Sequence, residues 1–304
     1  MADPLWPRPH PTRSNGGGHD QAQWLPITYP MPAPLARRPM KRHAWSGVGS
    51  LKKGSVPVAA YIDTLAPWPE QDFAAFGPVE VRKLGRIQQL TASFLGRNWV
   101  AIPHVTHHDE VDVTNLEVAR KAWNAVNPAA KATLLVPVVK AVAAALRAYP
   151  VFNTSLMADG KSLVWKDFVH IGVAIDTPGG LLVGVVRDCD TKASAVIAEE
   201  IAGLSARARA KGLSMAEMTG GSMTISSLGH IGGTAFTPIV NAPEVAILGM
   251  TRLQMRPMPG EGGAVDWRQM LPLSLSYDHR VINGADAARF VRRIGDELLN
   301  YRFE

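Results

Sequence analysis

The chain has 304 residues, which is enough for one large domain or two smaller ones. Apolar residues make up 46% and charged residues 19%, so the chain has the composition of a protein with a sizeable core rather than of a disordered one. It has no uncharged apolar run long enough for a membrane span and no apolar segment typical of a secretory signal at its N-terminus. A lone cysteine, Cys189, excludes a disulfide framework. These features predict a cytoplasmic protein that does not enter a membrane.

The net charge of +6 belongs to the N-terminal part of the chain. Thirteen of the 23 prolines also lie in residues 1–78, and this stretch has no apolar periodicity. Such a segment cannot offset the entropy cost of ordering, so residues 1–78 are predicted to be a mostly disordered tail or linker, and residues 79–304 a globular domain. The basic tail is interpreted as a solvated linker, and no nucleic-acid partner is predicted; nucleic-acid binding by the tail is the alternative.

Helix and strand signals alternate from residue 79 onward. A capping box, Thr114-Asn-Leu-Glu117, predicts a helix that ends near Pro128, and the apolar run 133–148 predicts a buried helix. A long helix is predicted over about 192–211, with Gly212 as its C-terminal cap, and a last helix from about Asn283. Strands are predicted at 152–157, 162–166, 169–176, 181–186, 223–228, 245–251 and 271–278.

The strand at 271–278 alternates leucine and tyrosine with proline, serine and aspartate, which predicts that only one of its faces is buried. The mixture of hairpins and crossovers predicts an α/β fold. The last helix is predicted to bury four apolar residues spaced at helical intervals, namely Phe290, Val291, Ile294 and Leu298.

Two segments carry candidate chemistry. His279 follows the strand at 271–278, and an imidazole at a strand end can act as a general base near neutral pH. Ser226 and Ser227 lie on the strand at 223–228 and point to opposite faces, so one hydroxyl can reach a cleft as a nucleophile or as a donor to an oxyanion. The glycines that follow match neither common phosphate-binding motif.

Four blocks of sequence resemble one family. They are LGRIQQLTASFLGRNWVAIPHVTHHDEVDVTNLEVARK, VHIGVAIDTPGGLLVGVVRD, MTISSLGHIGGTAFTPIVNAPEVAILG and SLSYDHRVINGADAARF. In this order they resemble the catalytic domain of the dihydrolipoamide acyltransferases, the E2 components of 2-oxo acid dehydrogenase complexes, most closely those of the pyruvate (acetyl) type. The resemblance covers about Gly77 to Leu299. It implies a two-layer α/β fold similar to that of chloramphenicol acetyltransferase, with a mixed sheet and helices.

The resemblance also implies roles for individual residues. His279 takes the position of the family's catalytic base, and Ser226 that of the serine that donates to the oxyanion. Asn283 stands where the family usually has an aspartate, and Arg120 is the expected partner of that position. A neutral amide bond would then replace a charged pair, at roughly half the strength. Gly184 stands where the family usually has proline, and its effect on the channel wall is left open.

Substrates and partners follow from the resemblance as well. Coenzyme A and dihydrolipoamide are the expected substrates, and the lipoyl group is expected from another, lipoyl-bearing protein. The chain is expected to form a homotrimer in which each active site lies between neighbours. Residues 35–62 faintly resemble a subunit-binding domain, which makes the E1 and E3 dehydrogenase subunits possible partners. Charged residues near the C-terminus, Arg302 and Glu304, predict that trimers assemble poorly into larger cores.

Acyl transfer between two thiols needs a base and an oxyanion donor, and it needs neither a metal nor a covalent enzyme intermediate. No metal site is predicted at His104, His107 and His108, because neighbouring residues of an extended segment point to opposite sides. Two alternatives remain open at this point. One is a coenzyme A-dependent acetyltransferase that acts on a small molecule, and the other is a non-catalytic scaffold subunit with the same fold.

Overall fold

The computed structural model describes residues 69–128 and 130–303. The similarity of residues 35–62 to a subunit-binding domain lies outside the described residues, as does most of the tail predicted over 1–78. The described part of that tail contains a short 3₁₀ helix, Phe73–Phe76, which is followed by exposed, extended chain.

The described residues form six α-helices and nine strands in one chain order. The helices are α1 (Arg86–Ala101), α2 (Thr114–Val126), α3 (Leu135–Ala148), α4 (Ser194–Lys211), the single turn α5 (Met215–Met218) and α6 (Gly284–Leu299). The strands are β1 (His104–Asp112), β2 (Thr154–Leu156), β3 (Leu163–Trp165), β4 (Ile171–Thr177), β5 (Gly180–Val186), β6 (Met223–Ser227), β7 (Ala246–Met250), β8 (Gln254–Pro259) and β9 (Val265–Asp278).

Seven of these strands form a mixed sheet in the order β1-β9-β7-β6-β4-β5, with β8 paired to the first half of β9. Strand β6 runs parallel to both β4 and β7, and the other pairings are antiparallel. Strands β2 and β3 form a separate hairpin. The α/β fold with a mixed sheet, as predicted from the sequence, is therefore confirmed.

Several elements agree with their sequence signals. Pro137 lies in the first turn of α3, where its missing N–H leaves no hydrogen bond broken. Gly212 caps α4 with a φ of +81°, and Gly160 turns the β2–β3 hairpin with a φ of +66°. Helix α6 buries the apolar stripe that its sequence predicts, and the ring of Phe290 stacks on Phe152 at 3.9 Å between centroids.

The predicted capping box at Thr114 is wrong. Thr114 is the first residue of α2 rather than its cap, and its hydroxyl bonds the Asp112 carboxylate at 2.6 Å while accepting from the Gln269 amide at 2.8 Å. The hydroxyl that would have capped the helix therefore accepts a hydrogen bond from β9, a strand that is distant in sequence. Helix α1 and strand β8 were not predicted, because neither has a clear apolar period.

The prediction that β9 has one exposed face is also wrong. Ser274, Ser276 and Asp278 are at most 2% exposed. Ser274 and Ser276 belong to a polar sheet face, which we define by Thr224, Ser226, Gly249, Ser274 and Ser276. Ser226, Gly249 and Ser274 lie opposite one another across β6, β7 and β9, and Thr224 and Ser276 lie in the next cross-strand row on the same face. Side chains of the next strand, β1, satisfy this face, since Ser276 bonds the Thr106 hydroxyl at 2.7 Å and Ser274 bonds the His108 imidazole at 2.9 Å.

The opposite face of the sheet carries the main core. Leu271, Leu273 and Leu275 of β9 are at most 1% exposed there and belong to one apolar cluster with the buried residues of helices α3 and α6. The polar sheet face is covered by a smaller apolar cluster of Ile102, Val240 and Ile247. The sheet is thus buried on both sides, and its two sides differ in chemistry.

Gly249 is required where the polar sheet face meets the loop above it. A Cβ atom at this position would lie 2.6 Å from the Phe236 ring. We expect Gly249→Ala to lower the free energy of unfolding by about 1–3 kcal/mol, because the ring must shift within a packed layer. Urea unfolding would measure this loss. The matched control is Gly96→Ala in α1, where nothing lies within 4 Å of the added atom and where alanine should stabilise by about 0.5–1 kcal/mol. A Gly249→Ala protein as stable as the wild type would contradict the close contact.

Candidate active site

His279 stands at the exposed end of a buried strand. Strand β9 ends at Asp278, whose buried carboxylate accepts two hydrogen bonds from Arg280 Nε and one from Arg280 Nη2, at 2.6–3.2 Å. This bidentate pair closes the turn that directs the next side chain away from the core. The His279 amide donates to the Pro103 carbonyl at 3.1 Å, while its imidazole is exposed and has no hydrogen-bond partner within the described part of the chain. The ring is therefore free to meet a proton donor from outside this chain.

Ser226 is the next-to-last residue of β6 and belongs to the polar sheet face. Ser227 follows it and points to the opposite side, as the alternation of a strand requires. Both serines line a cavity of about 840 Å³ together with Arg120 and the loop residue His230. The strand end thus presents two hydroxyls at a cavity, one from each side of the sheet.

The strand register sets the distance between Ser226 and His279. Ser226 lies opposite Gly249, and Gly249 lies opposite Ser274 of β9. His279 is five residues beyond Ser274, on a strand two positions away in the sheet. At about 3.3 Å per residue and about 4.8 Å per strand, the two residues of one chain are roughly 15–20 Å apart. One copy of the chain therefore cannot bring these side chains into contact.

Arg120 and Asn283 are not brought together in this chain. Arg120 binds both oxygens of the buried Glu117 at 2.7 and 2.9 Å and the Ala132 carbonyl at 3.0 Å. Glu117 raises the pKa of Arg120 through these bonds. Asn283 caps α6 by accepting from the Asp286 amide at 3.0 Å. The expected pairing of Asn283 with Arg120 is not made within one chain, because Arg120 lines the cavity beside Ser226 whereas Asn283 belongs to the end that carries His279. It therefore stays a prediction.

A buried acid that was not predicted from the sequence lies next to Thr224 of the polar sheet face. Glu244 is 6% exposed, and its burial raises its pKa to about 7, although hydrogen bonds from Thr224, the charge of Lys166 and a bond from Asn241 act in the opposite direction. Its second oxygen, Oε2, has no hydrogen-bond partner among the residues that the structure describes. Thr224 precedes Ser226 by two residues on the same face. A glutamate directly before a fully apolar strand, as in Pro-Glu-Val-Ala-Ile-Leu, was the available signal.

The described residues contain neither a candidate metal centre nor a candidate membrane-spanning helix. Within 69–128 and 130–303 there is no group of three or more His, Cys, Asp or Glu placed to hold a metal ion. No helix in this part of the chain is long and apolar enough to cross a bilayer. His104 and His108 each bind polar groups of neighbouring elements.

The chain belongs to the family of 2-oxoacid dehydrogenase acyltransferases. The model of that family's catalytic domain matches residues 77–303. The chain is 48% identical over 270 residues to the dihydrolipoyllysine-residue acetyltransferase component of the pyruvate dehydrogenase complex of Pseudomonas aeruginosa, covering 88% of this chain and 48% of that relative. It is 52% identical over 233 residues to the protein of the same name from Azotobacter vinelandii, covering 76% and 36%. The chain thus spans about half the length, or less, of these relatives.

Solved structures agree with this assignment. A structure of Azotobacter vinelandii dihydrolipoamide acetyltransferase aligns with a TM-score of 0.75 and 50% identity over 78% of this chain and 98% of that one. That work concerns the role of a serine, a histidine and an asparagine in the catalytic mechanism of that enzyme. A structure of the cubic core of the pyruvate dehydrogenase multienzyme complex aligns with a TM-score of 0.75 and 51% identity over the same shares. The predicted family resemblance is therefore confirmed.

The buried acid makes stability depend on pH. Between about pH 4.5 and pH 7 the folded chain keeps the Glu244 proton that the unfolded chain has released, so stability falls as pH rises. We expect wild type to lose up to about 3 kcal/mol relative to Glu244→Gln across this window, since glutamine does not ionise. Urea unfolding at several pH values would measure the difference. Glu199→Gln, at an exposed position of α4, controls for the loss of one charge. A difference between wild type and Glu244→Gln that stays constant with pH would exclude a buried neutral acid.

Proposed function

We propose that this chain transfers an acetyl group between dihydrolipoamide and coenzyme A, as the acetyltransferase of a pyruvate dehydrogenase-type complex. The observation that carries the proposal is the placement of His279 and Ser226, each at the end of a strand of the sheet and each within a block of the matched catalytic domain. The names of the relatives support acetyl transfer to and from a lipoyl group.

The chemistry assigns one role to each residue. His279 removes the proton from the thiol of coenzyme A, and the thiolate attacks the thioester carbonyl of acetyl-dihydrolipoamide. Ser226 donates a hydrogen bond to the resulting oxyanion. The carbon–sulfur bond to dihydrolipoamide then breaks, and its thiolate takes the proton back from His279, which leaves acetyl-coenzyme A and neutral dihydrolipoamide. A thiol with a pKa of about 8.5 is only a few per cent ionised at pH 7, so a base close to neutrality accelerates the attack.

The distance between the two residues within one chain requires a second chain at each site. We infer a trimer in which His279 of one chain faces Ser226 of the next, with one active site at each of the three interfaces. In this arrangement Asn283 follows His279 into the interface and approaches Arg120 of the neighbour. The Azotobacter enzyme supports a role for Asn283 beside His279, because its histidine and asparagine are also four residues apart.

The choice between the two serines is open to test. In the Azotobacter enzyme the serine precedes the histidine by 52 residues, whereas Ser226 and Ser227 precede His279 by 53 and 52. We assign the oxyanion role to Ser226 because it lies on the polar sheet face, while Ser227 shares its side of the sheet with Met250 and Leu273. This assignment requires that the loops between the serine and the histidine differ in length by one residue between the two proteins.

The same proposal extends to the parts of the chain that lie outside the described residues. We infer that residues 1–78 are a linker, that residues 35–62 are the place where E1 or E3 dehydrogenase subunits dock, and that residues 79–304 form the catalytic domain. In this proposal the acetyl group arrives on the lipoyl group of a separate, lipoyl-bearing protein. The reaction takes place in the cytoplasm. Neither proposed role requires a metal ion.

Single substitutions test the assigned roles. In an assay of acetyl transfer from acetyl-coenzyme A to dihydrolipoamide, His279→Ala should lower kcat by about 10²- to 10⁴-fold and Ser226→Ala by about 10²- to 10³-fold. Ser227→Ala is the matched control and should stay within a few-fold of wild type. If Ser227→Ala carries the loss instead, the oxyanion role belongs to that serine. A folded His279→Ala trimer with the wild-type rate would remove the mechanism.

Mixed trimers test the shared site. Chains with His279→Ala and chains with Ser226→Ala are each expected to be almost inactive alone. Every trimer that contains both kinds of chain has one interface with an intact histidine and an intact serine, so co-expression should restore activity at about one site in three. The negative control is the double variant, His279→Ala with Ser226→Ala, expressed alone, because none of its chains supplies either residue. Absence of any recovery in verified mixed trimers would show that both residues act within one chain or that one of them does not act.

A further inference from the structure

We propose that His104 is a positioning residue, a neutral imidazole that fastens the segment 236–245 to the strand end that carries His279. This inference rests on the proposed function, because it explains how that reaction's base is held in place. The segment 236–245, which we call the bridging segment, leads from the loop after β6 into β7. His104 lies on the same side of the sheet as the polar sheet face, directly opposite Asp278.

Both ring nitrogens of His104 are engaged, and their partners define the tautomer. Nδ1 lies 2.8 Å from the Ile102 carbonyl oxygen, which can only accept, so Nδ1 carries the proton. Nε2 lies 3.0 Å from the Val240 amide, which can only donate, so Nε2 carries none. A single neutral tautomer satisfies both contacts. The ring also stacks on Trp99 of α1 at 5.6 Å between centroids.

One side of this contact leads to the proposed base. The residue before His104, Pro103, accepts the hydrogen bond from the His279 amide at 3.1 Å. The residue before His279, Asp278, donates its amide to the Val245 carbonyl of the bridging segment at 2.9 Å. The backbone of Asp278 and His279 is therefore hydrogen-bonded both to the start of β1 and to the bridging segment. His104 connects these two segments to each other through its bond to Val240.

The other side leads toward Ser226. The Val240 carbonyl accepts from the buried Asn98 side chain at 3.0 Å, so both polar groups of Val240 are fixed. The next residue, Asn241, donates to the Thr224 hydroxyl at 3.3 Å, two residues before Ser226. Phe236 packs against Gly249, which lies opposite Ser226 in the sheet. The bridging segment thus touches the strands that carry both catalytic groups.

Removing the imidazole would leave the Val240 amide, in a fully buried residue, without a partner. The bridging segment would have to shift to reach another acceptor, and the His279 backbone would shift with it. A displacement of about 1 Å at a reacting group costs up to about 10²-fold in rate. Because His104 is proposed to act only through the position of the His279 backbone, the loss should appear in kcat rather than in KM.

Three substitutions separate positioning from general stability. Glutamine places an oxygen near the position of Nε2 and can accept from Val240, whereas asparagine reproduces only the Nδ1 donor. We expect His104→Gln to retain kcat within about threefold, and His104→Asn and His104→Ala to lose at least about tenfold with KM for dihydrolipoamide unchanged within twofold. Thr106→Val is the matched control, because it removes the bond to Ser276 from the same face of the same strand and should lower stability without lowering kcat.

The assay is run on the full chain, together with magic-angle-spinning NMR of ¹⁵N-histidine-labelled protein. Comparison with His104→Gln identifies the His104 signals, which should show a proton on Nδ1 and none on Nε2. A proton on Nε2, equal rescue by asparagine, or a His104→Ala protein with wild-type kcat would each overturn the proposal. A wild-type protein that transfers no acetyl group would overturn the proposed function instead, and with it the positioning role. The NMR signal then shows separately whether the contact to Val240 exists.

Discussion

The register of β6, β7 and β9 is the constraint on which the function of this chain depends. Ser226 and Ser274 lie level in the sheet with one strand between them, and His279 follows Ser274 at the far end of β9. A slip of one residue would turn the hydroxyl of Ser226 to the helix side and its neighbour to the polar side. The same register that fixes the core therefore also fixes which serine reaches the polar sheet face, and it keeps the proposed base and the proposed oxyanion donor of one chain too far apart to cooperate.

The polar sheet face gives this constraint a physical cause. A sheet that buries serine and threonine hydroxyls on one side must satisfy each of them. Side-chain hydrogen bonds between β1 and β9, one between two hydroxyls and one between a hydroxyl and an imidazole, do so at specific positions. A slipped register would leave such pairs broken, at about 1–3 kcal/mol for each unsatisfied group. The leucines on the opposite side favour burial but tolerate exchange among themselves. Register specificity in this sheet thus comes mainly from its polar side.

The sequence allowed the prediction of the elements whose local signals agree with the tertiary structure. Helix α3 is apolar on all sides, and helix α6 has a clear apolar stripe, so both were predictable from periodicity. The predicted capping box at Thr114 is wrong because its hydroxyl accepts a hydrogen bond from Gln269, which is distant in sequence. Such a long-range partner cannot be recognised from the local sequence. The same reason explains the error over β9, since alternation of leucine and serine is the pattern of a half-exposed strand, and only the covering loop makes it a buried one.

The candidate site divides in the same way. His279 and Ser226 were identified from motifs, and the structure places both at strand ends, where side chains can leave the core. Arg120 and Asn283 belong to opposite ends of the site, and their separation within one chain has the same geometric origin as the separation of histidine and serine. A motif specifies which residues act, but it does not specify how many chains supply them. Since each end of the site is stabilised independently, by Glu117 beneath Arg120 and by the cap of Asn283 on α6, each half is formed before any neighbour arrives. In the proposed trimer, assembly would bring these two surfaces of neighbouring chains together.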